Sequence, residues 1–181
     1  VIGGGPCIYN PEPIADFFDI IYVGEGETQY YDLIDMYKAH KAAGGTRKEF
    51  LQKAARMEGL YVPAFYDVTY NEDGTVKEFF SIDENATLPI KKQIVMVLSD
   101  TFYPDKPVVP FIRATQDRCV LEIQRGCIRG CRFCQAGMIY RPNRERSLEM
   151  LKKKAVAMLE STGHEEISLS SLSSSDYSQL E

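Results

Sequence analysis

Residues 119–134 read CVLEIQRGCIRGCRFC and connect a strand-like pattern to a crowded set of thiols. The first six residues alternate in character, which predicts a β-strand over Cys119–Gln124. Directly after that strand, Cys127, Cys131 and Cys134 follow the spacing C-x3-C-x2-C. A loop at the carboxyl end of a strand lies where parallel α/β folds collect their functional groups.

A helix and a second strand are predicted after the thiols. Apolar residues at helical spacing indicate a helix from Leu148 to Ser161, with Ser147 as its N-cap and Gly163 at its end. A strand is then predicted over Glu166–Leu172. Because a strand, a helical crossover and a second strand usually form a right-handed unit, we expect the two strands to pair in parallel.

Residues 1–58 have the pattern of α/β structure. A short apolar run predicts a strand over Asp19–Val23, and a helix is predicted from Thr28, as its N-cap, to Ala43. The motif Thr46-x-x-Glu49 fits a capping box and predicts the start of a second helix.

Residues 59–112 are richer in aromatic and β-branched side chains, which favour strands. The runs 65–70 and 75–80 flank a turn that contains Gly74, and together they predict a hairpin. A further strand is predicted over Gln93–Leu98. A connector spaced by three prolines follows, and a domain boundary is predicted near residue 112.

Three thiols within eight residues can converge on a metal centre, but they are one ligand short of the usual set. A [4Fe-4S] cluster normally takes four cysteines, and a structural zinc ion takes four protein ligands. Three cysteines therefore indicate a cluster with one iron open to something other than protein. Two alternatives stay open: a non-catalytic iron–sulfur electron-transfer module, and a zinc-stabilised nucleic-acid-binding segment whose fourth ligand is remote, such as Cys119 or His164.

The cysteine count also bears on the compartment. Five cysteines, three of them crowded together, favour metal binding in a reducing compartment over a disulfide framework, so we expect a cytoplasmic protein. Cys7 and Cys119 lie far from the motif and are expected to be buried small apolar residues.

Charge is unevenly distributed along the chain. The formal net charge of −5 argues against a generally basic nucleic-acid binder, yet residues 113–154 carry eleven Lys and Arg against four Asp and Glu. That stretch has a charge of +7, so the remainder carries −12. We expect an anionic cofactor or substrate near the thiols, with an ordinary solvated surface as the alternative. No apolar run approaches the ~20 residues that span a bilayer.

The motif Cys127-x3-Cys131-x-Phe133-Cys134 resembles that of the radical S-adenosylmethionine (SAM) superfamily, including the aromatic residue before the last cysteine. The resemblance implies a [4Fe-4S] cluster on the three cysteines, with SAM bound to the open iron. A one-electron donor such as flavodoxin or ferredoxin would reduce the cluster, and SAM would be cleaved to a 5′-deoxyadenosyl radical. The substrate is left open, nucleic acid included, and no residue is assigned a catalytic role.

The same resemblance suggests where SAM would be held. Phe133 would lie near the adenine. The superfamily often carries a Gly-Gly-Glu segment after its second strand to hold the SAM amino group, whereas this chain has Ser173-Ser174-Ser175-Asp176. Hydroxyl and carboxylate oxygens can accept hydrogen bonds from an ammonium, so Ser174, Ser175 and Asp176 are candidate SAM-binding residues. A capped turn is the alternative.

Upstream, the chain resembles the last part of the cobalamin-binding-like domain that precedes many radical SAM barrels, in an uncharacterised bacterial subgroup. Four segments carry the resemblance to that domain: Gly4–Pro6, Asn10–Pro13, Asp19–Val23 and Gly24–Glu27. Together with Cys134–Gly137 and Tyr140–Arg146, they resemble the bacterial subgroup. The Asp-x-His-x-x-Gly segment that supplies a cobalamin ligand in that family is absent, and neither His40 nor His164 fits it. Cobalamin binding is therefore not favoured.

Together these patterns predict an α/β chain in three parts. Residues 1–58 are expected to be the end of a Rossmann-like cobalamin-binding-type domain, 59–112 a β-rich connecting segment, and 113–181 the first β/α units of a partial TIM-like radical SAM barrel. A complete (β/α)₈ barrel takes about 250 residues. We therefore expect a piece of a longer protein, inactive by itself.

Overall fold

The computed structural model describes residues 1–180. It divides into two compact units, Val1–Val95 and Met96–Glu181. The predicted division into 1–58, 59–112 and 113–181 stays a prediction.

A small three-stranded sheet organises the first unit. Its strands are β1 (Ile2–Gly3), β2 (Ile20–Tyr22) and β3 (Leu60–Tyr61), in the order β1-β2-β3. β2 is parallel to β1 and antiparallel to β3. The predicted strand over 19–23 is confirmed as β2, whose three residues are all buried.

Two helices follow β2: α1 (Tyr30–Ala42) and α2 (Arg47–Ala55). The predicted capping box is confirmed, because Thr46 accepts a hydrogen bond from the Glu49 N–H and the Glu49 carboxylate accepts one from the Thr46 N–H. The prediction of Thr28 as the N-cap of α1 was wrong. The Thr28 hydroxyl instead donates to the carbonyl of Glu25 (3.0 Å), so it stabilises the preceding turn.

The predicted hairpin is confirmed as β4 (Tyr66–Tyr70) and β5 (Val76–Ser81), which pair antiparallel. The strand predicted over 93–98 was wrong. Gln93 forms an isolated bridge with Gly24, while Leu98 begins a short 3-10 turn. At Gln93 the N–H donates to the Val23 carbonyl and the C=O accepts from the Glu25 N–H, so the pairing there is a single bridge rather than a strand.

The core of the first unit is apolar and draws on its sheet, both helices and the segment after β3. Its most enclosed members are Ile20, Ile21, Leu33, Ala54, Leu60 and Val62. Cys7 does not belong to this core, and the prediction that it is buried was wrong. It lies exposed in the 3-10 turn Pro6–Tyr9, in which the next residue, Ile8, turns inward instead.

The second unit contains the predicted strand–helix–strand arrangement. β6 (Cys119–Glu122), α4 (Leu148–Thr162) and β9 (Ile167–Ser170) follow one another, with β6 and β9 parallel. Both predicted helix ends are confirmed: the Ser147 hydroxyl accepts from the Met150 N–H, and Gly163 ends α4 with φ of 74°.

Between β6 and α4 lie β7 (Gln124–Arg125), α3 (Ala136–Ile139) and β8 (Arg144–Glu145). β7 and β8 pair antiparallel and so close the chain between them into a loop. The core beneath contains Cys119, Leu121, Ile123, Leu151, Met158 and Tyr177. Cys119 is buried, as predicted.

The described residues thus form a mixed α/β structure with four small sheets, none of which closes into a barrel. Within residues 1–180, no helix has the length and apolar character needed to cross a membrane.

Candidate functional site

The thiol loop, residues 126–135, leaves the core at the end of β7. Gly126 begins it with φ of 92°, a backbone conformation that L side chains rarely adopt. A Cβ at this position would lie 2.7 Å from both the Asn143 Cα and the Pro142 carbonyl oxygen. Glycine is therefore required where the outgoing and returning backbones of this loop come together.

The three thiols are accessible to solvent. Cys131 is exposed, and Cys127 and Cys134 are partly exposed. The Arg129 N–H donates to Sγ of Cys127 and the Gly137 N–H donates to Sγ of Cys134, each over 3.4 Å. Hydrogen bonds from the backbone to ligating sulfurs are one means by which proteins tune iron–sulfur centres.

The thiols share one loop but are not assembled around a common point. Within residues 1–180, no three His, Cys, Asp or Glu side chains are grouped closely enough to hold a metal ion. The donor set nevertheless fits an iron–sulfur cluster, because it combines three accessible thiols, two backbone N–H donors to sulfur and glycine at the loop's tight turn.

The residues considered for a fourth zinc ligand lie elsewhere. Cys119 is the first residue of β6, and its Sγ contacts the Thr162 hydroxyl at 3.3 Å. His164 lies 4.0 Å from Asp117, which precedes β6. The carboxyl end of that strand lies about 10 Å from Cys119 at the usual rise per residue, and the thiol loop begins beyond that end, after β7. Neither side chain is placed to complete a zinc site with the loop.

The segment after β9 does meet the thiol loop. Nε of Arg129 donates to Oδ2 of Asp176 over 2.7 Å, and its Nη2 donates to Oδ1. The Ser173 hydroxyl also donates to Oδ2, over 2.7 Å. The hydrogen bonds from Arg129, which have the largest effect, and from Ser173 hold the pKa of Asp176 below its usual value. Asp176 in turn raises the pKa of Arg129.

The other candidate SAM-binding residues are less enclosed. Ser174 is partly exposed and its hydroxyl lies 2.9 Å from that of Ser171, whereas Ser175 is exposed. Phe133 is 91% exposed, so the described part of the chain leaves nearly all of its ring uncovered. The structure therefore joins Asp176 to the thiol loop and leaves Phe133 and Ser175 open to solvent.

Gln124 is a residue of this region that the sequence analysis did not single out. It is 2% exposed, and its Nε2 donates to the Ser173 carbonyl over 2.6 Å. Its Oε1 is buried, and residues 1–180 offer it no hydrogen-bond donor. Buried acceptors are normally satisfied, so Oε1 is suited to a donor from a bound molecule or water. The sequence did contain one sign that Gln124 lies near the site, because it is the last residue of the strand predicted before the thiols.

A second cluster supports the base of the loop. The Arg146 side chain is 0% exposed; it donates to Glu122, to the Leu98 carbonyl (2.6 Å) and to the Thr101 hydroxyl (3.2 Å). Arg125, the residue before Gly126, donates to the same Glu122 over 2.8 Å. Burial alone would raise the pKa of Glu122, but the hydrogen bonds from the two guanidinium groups hold it below its usual value.

Comparison with known proteins adds evidence that does not depend on this geometry. Residues 1–63 match the family model described as radical SAM proteins, N-terminal, and residues 121–181 match the radical SAM superfamily. An uncharacterized protein of Methanocaldococcus jannaschii is 31% identical over 151 residues, which cover 83% of this chain and 26% of that protein. The chain thus spans about a quarter of the length of this curated relative. No solved structure matches this chain.

Proposed function

The chain belongs to the radical SAM superfamily, and on that premise we propose that it is part of a radical SAM enzyme. In this proposal Cys127, Cys131 and Cys134 hold a [4Fe-4S] cluster. When bound and reduced, this cluster would supply the electron that cleaves the SAM sulfonium to a 5′-deoxyadenosyl radical. The observation that carries the proposal is the accessible three-thiol loop at the carboxyl end of β6, within the residues that match the superfamily.

Different side chains are proposed to bind the cluster and the parts of SAM. Three thiol ligands leave one iron for the amino and carboxylate groups of SAM, as the superfamily implies. Asp176, which is kept ionised by its donors, is suited to a cationic ammonium, and the hydroxyls of Ser174 and Ser175 supply further acceptors. The buried Oε1 of Gln124 is another acceptor in the same region. The exposed ring of Phe133 provides an apolar surface for the adenine.

The charges around the thiol loop are favourable for an anionic cluster. Arg129 and Arg132 lie within the loop, and residues 113–154 carry a charge of +7. Positive charge around the loop offsets the negative charge of a thiolate-bound cluster. The five free thiols and the iron–sulfur chemistry also lead us to propose a reducing compartment such as the cytoplasm.

The proposed architecture follows from the same premise. Residues 113–181, with β6, α4 and β9, would be the first β/α units of a TIM-like barrel, and 1–58 the end of a Rossmann-like domain joined to it by 59–112. SAM and a one-electron reductant such as flavodoxin or ferredoxin are the proposed partners. Since residues 1–180 do not form a complete barrel, we expect the chain to be inactive alone, and cobalamin is not part of the proposal.

The test is anaerobic reconstitution of the full-length protein with iron and sulfide. After reduction, its electron paramagnetic resonance spectrum should show a cluster whose signal changes when SAM is added. A spectrum that SAM leaves unchanged would contradict the proposal, as would stoichiometric zinc with no uptake of iron.

Two thiols make a matched pair of variants for this experiment. Cys131→Ala should abolish assembly of the cluster, because it removes one of only three protein ligands. Cys7→Ala also removes an exposed thiol, but outside the loop, and should leave the iron content unchanged. Equal losses from both variants would mean that the ligand set is wrong.

A further inference from the structure

Arg129 lies between two of the proposed cluster ligands, Cys127 and Cys131, and its side chain leaves the loop to reach Asp176, 47 residues further along the chain. Nε and Nη2 of the guanidinium engage the two carboxylate oxygens separately. This fork-to-fork geometry fixes the orientation of both groups as well as the distance between them.

Asp176 is the enclosed partner of the pair. Its side chain is 10% exposed, compared with 59% for Arg129. It belongs to the 3-10 turn Ser174–Asp176, and its carboxylate also accepts from the Ser173 hydroxyl. The next residue, Tyr177, is buried, and its hydroxyl donates to the Arg146 carbonyl over 2.9 Å. The carboxylate is therefore held by the core beneath it, and Arg129 brings the loop to that fixed point.

We propose that Arg129 and Asp176 form a clasp that positions the thiol loop against the segment after β9, so that Asp176 is a positioning residue for the cluster ligands. This role rests on the proposed function and goes beyond the expectation that Asp176 serves only to receive SAM. A loop held at its middle keeps Cys127 and Cys131 on either side of the fixed guanidinium. Cluster assembly then requires less ordering of the loop.

The clasp is compatible with SAM binding at the same carboxylate. An ionised carboxylate offers about four acceptor sites. Oδ2 uses two of them, for Arg129 and Ser173, and Oδ1 uses one for Arg129. One site on Oδ1 stays available to an ammonium, so the carboxylate that places the loop also marks the place of the SAM amino group.

The experiment uses hydrogen–deuterium exchange of the full-length protein without cofactor. Arg129→Gln and Asp176→Asn should each speed amide exchange in residues 126–135 by about threefold, which is within the range for an ion pair with one solvent-exposed partner. The double variant should be no faster than either single variant, because both remove one interaction. Arg129→Lys keeps the positive charge but cannot make the two parallel hydrogen bonds of a guanidinium. It should therefore retain only part of the wild-type protection of the loop amides from exchange.

Arg132→Gln is the matched control. It removes the same charge from the same loop, but at an exposed position for which residues 1–180 provide no ion-pair partner. Equal exchange in Arg129→Gln and Arg132→Gln would overturn the clasp. So would additive effects of Arg129→Gln and Asp176→Asn.

A second readout follows cluster retention, as the rate at which the reconstituted protein loses iron to a chelator. The clasp predicts loss about threefold faster in Arg129→Gln and Asp176→Asn than in Arg132→Gln. If the wild-type protein takes up no iron and sulfide, the proposed function is wrong, while the exchange comparison still decides the clasp. If the cluster assembles but all variants retain it equally, the clasp is wrong and the proposed function stands.

Discussion

At the scale of single residues, the most consequential buried charge is Arg146, whose guanidinium is fully enclosed. Its charge is matched by Glu122, and the Tyr103 ring covers it at 4.7 Å from the ring centroid. Because Glu122 also holds Arg125, immediately before Gly126, one carboxylate supports both the buried cation and the start of the thiol loop. Removal of that carboxylate should affect stability and the loop together.

Glu122→Gln should lower the free energy of unfolding by about 2 kcal/mol, since it leaves a buried guanidinium without its counter-charge while partial exposure of Glu122 moderates the loss. Chemical denaturation at neutral pH measures the change. Glu165→Gln removes an exposed carboxylate from the same unit and should change stability little. Equal effects from the two variants would mean that the Arg146–Glu122 pair contributes nothing specific.

The same carboxylate sets a pH dependence. The pKa of Glu122 is depressed in the folded protein. Its contribution is therefore present above the unfolded value of about 4.5 and is lost as the pH falls through the lower folded value. The difference in stability between wild type and Glu122→Gln should shrink in that acid range, and a constant difference down to pH 3 would contradict this account.

At the scale of elements, β6 has two hydrogen-bonding edges that are satisfied in different ways. One edge pairs with β9. On the other edge, the Tyr103 hydroxyl donates to the Val120 carbonyl (3.1 Å) and accepts from the Glu122 N–H (2.8 Å). A single side chain thus takes the place of a neighbouring strand over this part of β6, and Arg146 packs on its ring.

Tyr103→Phe should destabilise the second unit by about 1–2 kcal/mol, because it removes both hydrogen bonds and leaves two backbone groups of β6 unpaired. Thermal or urea unfolding measures the loss. Tyr70→Phe, at an exposed position of the hairpin, serves as the control and should be neutral. If Tyr103→Phe is equally neutral, water satisfies that edge of β6 as well as the hydroxyl does.

The elements also show what the sequence could predict. The capping box at Thr46, the N-cap at Ser147 and the glycine at Gly163 were predictable because each depends on residues a few positions away. The strand over 93–98 was predicted wrongly because a strand needs a partner that the local pattern does not reveal. The spacing of the thiols could be read from the sequence because the three cysteines are close together in the chain. The contact between Arg129 and Asp176 could not, because it depends on how the segments after β6 and β9 pack together.

At the scale of the whole molecule, the two apolar cores do not share residues. Every member of the first lies within residues 1–95, and every member of the second lies within residues 96–180. The first core includes Leu60, Tyr61, Val62 and Phe65, which come after the predicted boundary at residue 58. Packing therefore assigns β3 and the hairpin that follows it to the first unit, whatever the ancestry of the two segments.

This assignment leads to a prediction about pieces of the chain. Residues 1–95 produced alone should unfold cooperatively on heating, because the piece keeps the whole of its buried apolar core. Residues 1–58 should not, since that piece lacks β3, the antiparallel partner of β2, and exposes the fully buried Ile21. Circular dichroism melts of the two pieces make the comparison. A cooperative transition in 1–58 that matches that of 1–95 would mean that the structural boundary lies near residue 58, and that residues 59–95 only cover a core which is already complete.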